Sequence, residues 1–170
     1  MSRLPAVALL AALTACGGGG GGGGSGPGGE PAPWETGSYD PAWKGAAPAA
    51  TIALTYNAGK TSEENGSDLA DAILALQPGQ RREIGKGTYS IDRLFNVNLS
   101  GTAAAPIWIV AAAGAAPILT RPNASQNVIN IGQGGPARYL CLRGLTITGG
   151  SDLLRLYDCA NVWIDGCTLH

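Results

Sequence analysis

From Ile107 onward, apolar positions come in short runs of three to seven residues rather than in the three-and-four spacing of a helix. Ile, Val, Leu and Thr fill these runs, and Gly, Asn and Asp separate them, which is the pattern of many short strands. The runs predict strands over Ile107–Ala111, Val128–Ile131, Tyr139–Arg143, Leu145–Thr148, Leu153–Tyr157 and Val162–Asp165. A helical pattern stands out in one place only. Leu69, Ile73 and Leu76 fall on one face, with Ser67 as N-cap and Gln77-Pro78-Gly79 as the stop, predicting a helix over Asp68–Leu76. The long apolar stretch from Ala103 to Leu119 is cut by Pro106 and Pro117 and weakened by Gly114, so it reads as a buried strand and not a membrane helix.

Two of these runs repeat. "LCLRGLTIT" from Leu140 aligns with "VWIDGCTLH" from Val162 at an offset of 22 residues, matching Leu142 to Ile164, Gly144 to Gly166 and Thr146 to Thr168. A period of that size is the mark of a solenoid whose repeat is one coil. Side-chain alternation puts Leu140 and Leu142 inside, with Cys141 and Arg143 outside. At Gly144 the chain bends and the parity shifts, so that Leu145 and Ile147 face in and Thr146 and Thr148 face out. The second copy obeys the same rule, with Val162, Ile164, Cys167 and Leu169 inside and Trp163, Asp165, Thr168 and His170 outside.

These residues carry a resemblance. "ALTYNAGKTSEENGSDLADAILALQPGQRREIGKGTYS" (Ala53 to Ser90) is similar to the opening of the pectate-lyase-like family: a strand, a short capping helix, a Pro-Gly stop, then a strand and "GTY". "GTAAAPIWIVAAAGAAPIL" from Gly101 is similar to the next segment of polysaccharide lyases of the alginate lyase and chondroitinase B kind, and "CANVWIDGCTLH" resembles their repeating coil. The resemblance implies an all-β fold, a right-handed parallel β-helix with a short N-terminal capping helix. His170 falls in mid-strand by the repeat register, with no polar capping segment, so the chain reads as truncated at its C-terminus.

The first fifty residues follow a different rule. A basic start at Arg3, an apolar run from Leu4 to Leu13 and small residues up to Cys16 make a secretory leader. From Leu4 to Cys16 a helix would reach roughly 20 Å, short of a hydrocarbon core about 30 Å thick. Leu13-Thr14-Ala15-Cys16 resembles the lipobox of bacterial lipoproteins, which implies cleavage before Cys16 and lipidation of that residue. Gly17 in the next position resembles lipoproteins sent to the outer membrane of Gram-negative cells. The glycines up to Gly29 then form a flexible tether with a reach of about 20 Å. The proline-rich stretch from Glu30 to Ala50 is a stiffer linker, unless Trp34 and Trp43 pack on the domain. The expected organisation is a leader over 1–15, a lipidated tether over 16–50 and β-helix coils over 51–170.

Composition narrows the chemistry. The formal charge is −1 and only 14% of residues are charged, with no basic block, which argues against nucleic-acid binding through phosphate contacts. Beyond Cys16 three cysteines remain, Cys141, Cys159 and Cys167. They lack zinc-site spacing, and an exported chain allows either one disulfide among them or buried free thiols. "NAGKT" (Asn57 to Thr61) has Leu54 where a phosphate loop needs its first glycine. No metal site and no cofactor are evident.

Lyases of the resembling family neutralise a uronate carboxylate with a cation or Ca²⁺, remove the C5 proton with a Lys or Arg base, and protonate the 4-O leaving group. The resemblance therefore admits Ca²⁺ in the full-length protein and an acidic polysaccharide as partner. No catalytic motif can be matched, and the catalytic coils are expected beyond residue 170. The outward row offers Arg143 and Asp165 one coil apart: a sugar-carboxylate contact beside a cation ligand, or, as the plainer reading, a surface ion pair worth about 0–1 kcal/mol. Trp163 is placed either to stack on a sugar ring or to lie under a loop, and His170, the single histidine, lies above Thr148. The expected function is a surface-anchored, polysaccharide lyase-like β-helix protein, with a non-catalytic glycan-binding or adhesin-type protein as the alternative.

The anchor is open to direct test. In a Gram-negative host the protein should fractionate with membranes, and Cys16→Ser should release it or block its maturation. Equal partitioning of parent and variant would exclude lipidation.

Overall fold

A computed structural model describes residues 41–170 of the chain. The expected leader, Cys16 and its lipidation, the glycine tether and Trp34 lie outside the described residues. A four-residue 3-10 turn (Ala42–Gly45) leads to β1 (Ala50–Leu54), α1 (Ser62–Leu74), β2 (Gln80–Ile84), β3 (Thr88–Ser90), β4 (Asn96–Val97), β5 (Ile107–Ala111) and β6 (Ile118–Arg121). Then come β7 (Ile129–Ile131), β8 (Ala137–Arg143), β9 (Thr146–Gly149), β10 (Leu154–Leu156), β11 (Cys159–Asp165) and β12 (Thr168–Leu169).

Every pairing among these strands is parallel, and consecutive strands never pair except β1 with β2, which α1 separates. Three sheets result: β1-β2-β5-β8-β11 (sheet A), β3-β6-β9-β12 (sheet B) and β4-β7-β10 (sheet C). The chain visits A, B and C in turn and begins again, which is a parallel β-helix. The register of the last coil keeps the offset seen in the sequence, pairing Val162 with Leu140, Ile164 with Leu142 and Thr168 with Thr146. Earlier coils are longer, for Ile107 pairs with Leu140 and Ile118 with Thr146.

The glycine that shifts the parity has its physical cause in the backbone. Gly144 and Gly166 hold φ of +69° and +56°, a region that L side chains rarely enter. On either side of the bend Leu140, Leu142, Leu145 and Ile147 are all within 1% of full burial. Val162, Ile164, Cys167 and Leu169 pack on the same core, as the alternation requires.

The helix begins earlier than the periodicity indicates. Thr61, not Ser67, is the N-cap: its hydroxyl accepts from the Glu64 N–H (3.1 Å), and the Glu64 carboxylate accepts from the Thr61 N–H (2.8 Å). This reciprocal capping box satisfies two donors that the first turn otherwise leaves open. It also ends at Leu74, so Leu76 lies past the helix but is still buried. Gly66 reads locally as a helix breaker, but tertiary packing demands it. A Cβ there would stand 2.0 Å from the Ser90 carbonyl oxygen, so the helix lies directly on the β3 main chain. α1 thus occupies the place of a preceding sheet B strand and covers the edge that β3 would otherwise expose. Asn65 ties the entering loop down, accepting from the Asn57 N–H and donating to the Asn57 and Thr61 carbonyls. "NAGKT" is therefore a helix-entry loop, with Lys60 paired to Asp68. At the other end the Arg82 guanidinium donates to the Ala72 carbonyl at 3.1 Å.

Ile107–Ala111 is the buried strand β5, and no helix among the described residues is long and apolar enough to cross a membrane. Cys141, Cys159 and Cys167 are free thiols.

Two opposing effects meet at Gly66. Helix propensity favours Gly66→Ala by about 1 kcal/mol, while forcing a methyl into the β3 backbone costs about 1–3 kcal/mol. Because the obstructing atoms are main chain, a net loss of stability is expected in urea unfolding. Leu142→Asp, which buries an unpaired carboxylate between coils, should abolish the cooperative transition altogether. A parent-like midpoint in either variant would contradict the packing described.

Candidate functional site on the outer face of sheet A

Sheet A turns one face to the core and the other outward, and its register arranges the outward residues in two rows along the solenoid. Arg81, Trp108, Cys141 and Trp163 form the first; Glu83, Val110, Arg143 and Asp165 form the second. The structure therefore brings Arg143 beside Asp165, as the repeat predicts, and also sets the Arg143 guanidinium over Trp163. Arg143 Nε lies 2.9 Å from Asp165 Oδ2, and the guanidinium carbon is 5.8 Å from the Trp163 ring centre. At the far end of the row Arg81 pairs with Glu83 at 3.0 Å. His170 follows β12 at the end of sheet B, on a different wall of the solenoid, where its N–H donates to the Ile147 carbonyl.

Cys141 is a buried free thiol, one of the two states the sequence allowed. It points outward as expected, but it is fully buried, because the outside of sheet A carries a second apolar cluster. Trp43, Trp108, Val110 and Cys141 form it, with Tyr139 and Trp163 packed at its edge. Trp43 sits over the sheet, its ring centre 6.0 Å from Trp108, 6.0 Å from Tyr139 and 6.1 Å from Trp163, each at an edge-to-face angle. Trp43 therefore packs on the side wall of the domain. Trp163 lies beneath that residue along one edge, with its remaining surface half-buried beside Arg143.

Sequence reasoning missed Trp43, Trp108 and Tyr139 as members of this face. The available signal was the unbroken apolar run Ile-Trp-Ile-Val, because a strand apolar at every position needs both faces covered. A second signal lies in the backbone. Tyr139 and Asn161 occupy the same place in successive coils, between paired residues on either side, and both have positive φ, +48° and +56°. Asn adopts that conformation readily; Tyr does so at a cost.

Burial pushes the Cys141 thiol up to about 12, with the Asp165 carboxylate adding to it and Arg143 opposing. Cys167 and Cys159 are raised too, chiefly by burial. None of the three is a thiolate nucleophile at neutral pH. Among the described residues no group of three or more His, Cys, Asp or Glu is placed to hold a metal ion.

No family model and no curated protein matches the chain. Two solved structures do. The alginate lyase from Paenibacillus sp. str. FPU-7 superposes with a TM-score of 0.56 at 22% identity, over 71% of this chain and 36% of its own. The pectate lyase Pel9A gives a TM-score of 0.44 at 20% identity, over 61% of this chain and 29% of its own. The likeness to the alginate lyase establishes the fold. This chain is an all-β parallel solenoid, and it spans about a third of that enzyme's length.

The buried thiols give the protein an alkaline limit. Below pH 9, the usual thiol value, Cys141 is protonated folded and unfolded, and contributes no pH dependence. Above it the unfolded chain releases a proton that the folded chain keeps, so stability falls as pH rises from 9 towards 12. At pH 10 the loss from this one group is on the order of 1 kcal/mol. Urea midpoints taken from pH 8 to 11 should fall in the parent and fall less steeply in Cys141→Ala. Parallel slopes would show that Cys141 is not shielded as described.

Proposed function

We propose that this chain supplies the opening coils of a surface-anchored, carbohydrate-active β-helix of the polysaccharide lyase type, held to the cell envelope, at the outer membrane, through lipidated Cys16. The outer face of sheet A is its contact surface for an acidic polysaccharide. One observation carries the reading: Arg143, Asp165 and Trp163 stand together on the outward wall of a fold shared with an alginate lyase. A guanidinium is suited to a uronate carboxylate by charge and by its planar fork of donors. An indole face beside it suits the apolar face of a sugar ring. Asp165 holds the guanidinium in place and is the available ligand for a Ca²⁺ shared with the sugar.

Elimination from a uronate also needs a base for the C5 proton and an acid for the 4-oxygen. These two roles are assigned to coils beyond residue 170, so these coils bind and orient while others react. The second reading is a glycan-binding or adhesin-type protein without turnover, in which the same Arg143–Asp165 pair and Trp163 would bind the polymer and no coil would react.

The detergent-solubilised protein is to be incubated with alginate, pectate and chondroitin, with and without Ca²⁺. Binding is followed by affinity electrophoresis and turnover by the ultraviolet absorbance of the unsaturated product. Retardation by at least one uronate polymer is expected, with affinity lowered about tenfold by Arg143→Ala, as the loss of one charge-assisted hydrogen bond implies. Product is not expected from these 170 residues alone. Product that an Arg143→Ala/Asp165→Ala double variant fails to make would place the reaction within these coils. Absence of binding to all three polymers would overturn the carbohydrate reading.

A further inference from the structure

We propose that Arg81 is a second carboxylate-binding group on the outer face of sheet A, two strand steps from Arg143, and that the two together select a polyuronate by the spacing of its carboxylates. The proposal rests on the reading of this face as a carbohydrate surface, and adds to it a second contact and a direction for the polymer.

The first observation is placement. Arg81 on β2 stands in the row that continues through Trp108 and Cys141, and Arg143 on β8 stands in the row of Glu83 and Val110. The Arg81 guanidinium leans to that second row, where its Nε lies 3.0 Å from Glu83 Oε1. Both cations are thus offered along one line, with Val110 between Glu83 and Arg143. They also act on one thiol: burial raises Cys141, and each of the two guanidiniums opposes the rise.

The second observation is how the two are held. Each is tied to its carboxylate through the same atom, Nε, with Arg81 on Glu83 at 3.0 Å and Arg143 on Asp165 at 2.9 Å. Among the described residues neither gives its terminal nitrogens to an acceptor. Arg138, at the start of β8, is different. Its Nη1 donates to the Ala137 and Asp158 carbonyls and its Nη2 to the Asp158 carboxylate. A guanidinium anchored at Nε keeps the edge between its two terminal nitrogens, which is a fork able to grip a second carboxylate. Glu83 and Asp165 therefore fix the two forks without filling them.

The third observation is what lies between. β5 is the one strand between β2 and β8, and its outward residues are Trp108 and Val110, both buried. No polar side chain of that strand competes for an anion on the way from one cation to the other. Two strand steps separate the cations by about 10 Å. A 1,4-linked pyranose advances its chain by close to one strand spacing. Carboxylates on one residue and on the next but one then fall to Arg143 and Arg81, and the ring between them crosses Val110. The polymer runs along the solenoid axis, across the strands. A uronate at every position or at every second position meets this spacing, and a single uronate or a disaccharide does not. Once the first carboxylate is held, the second is captured at the high effective concentration that a short linkage imposes.

The detergent-solubilised full chain is titrated by calorimetry with saturated oligouronates of two, three and four residues, prepared from alginate and from pectate. In the parent, affinity should rise about tenfold from the disaccharide to the trisaccharide, as one added charge-assisted hydrogen bond implies, and little more at four residues. Arg81→Gln keeps much of the side-chain stem and removes the charge. It should flatten the step at three residues and leave disaccharide affinity unchanged, whereas Arg143→Ala should weaken all three lengths. Thermal melts establish that each variant is folded, and the comparison of lengths in the parent needs no variant. If the trisaccharide binds the parent no better than the disaccharide, or the step persists in Arg81→Gln, Arg143 acts alone and the proposal falls by itself. An equal loss at every length in Arg81→Gln would make Arg81 part of the general charge of the wall and would overturn the spacing. If the parent binds no oligouronate of any length and no uronate polymer, the carbohydrate reading of the face falls and takes this one with it.

Discussion

Main-chain hydrogen bonding between successive coils is the constraint on which everything else in this protein rests. Each strand is two to seven residues long and pairs with strands a full coil away in sequence. No coil can satisfy its backbone or bury its apolar face by itself. Stacking in register does both at once. It also converts a sequence offset into a spatial row, which is why Arg143 meets Asp165 and Trp108 meets Cys141. The chemistry of the outer wall is thus a by-product of the pairing that holds the inner core.

The same pairing creates a problem at its first edge, and α1 answers it. A helix has no unpaired ladder to offer another chain, so laying it on β3 covers the first edge of sheet B, while β1 and β4 stay the first strands of sheets A and C. The solution requires close approach of main chain to main chain, and Gly66 is the residue that permits it. Its loss of helix propensity is small beside the clash that any side chain would cause. The capping box at Thr61 and Glu64 restores part of that loss at the helix start.

On the outer wall, magnitudes separate what holds from what recognises. Burying an aromatic or large apolar side chain contributes about 1.5–3 kcal/mol, whereas an exposed ion pair contributes about 0–1 kcal/mol. Trp43, Trp108 and Cys141 therefore hold the wall together, and Arg143 and Asp165 add little to its stability. A pair that matters little to folding and stands half-exposed beside an indole face is available for binding. Shielding by the same cluster makes Cys141 inert, so the one thiol on this wall is a packing residue and not a reagent.

The repeat at 22 residues, the parity shift at Gly144 and Gly166 and the placing of Arg143 beside Asp165 were determined by the sequence, because each depends on alternation and spacing that a strand turns directly into geometry. The helix was legible as an element but not in its bounds, since the periodicity marks only the face that packs and Gly66 is chosen by a strand 24 residues away. The outer cluster was decided by tertiary structure. Trp43 reaches sheet A from a proline-rich approach with no period of its own, and Cys141 obeys its alternation but is buried all the same. Alternation tells which way a side chain points. Only the folded chain decides what, if anything, comes to lie on top of it.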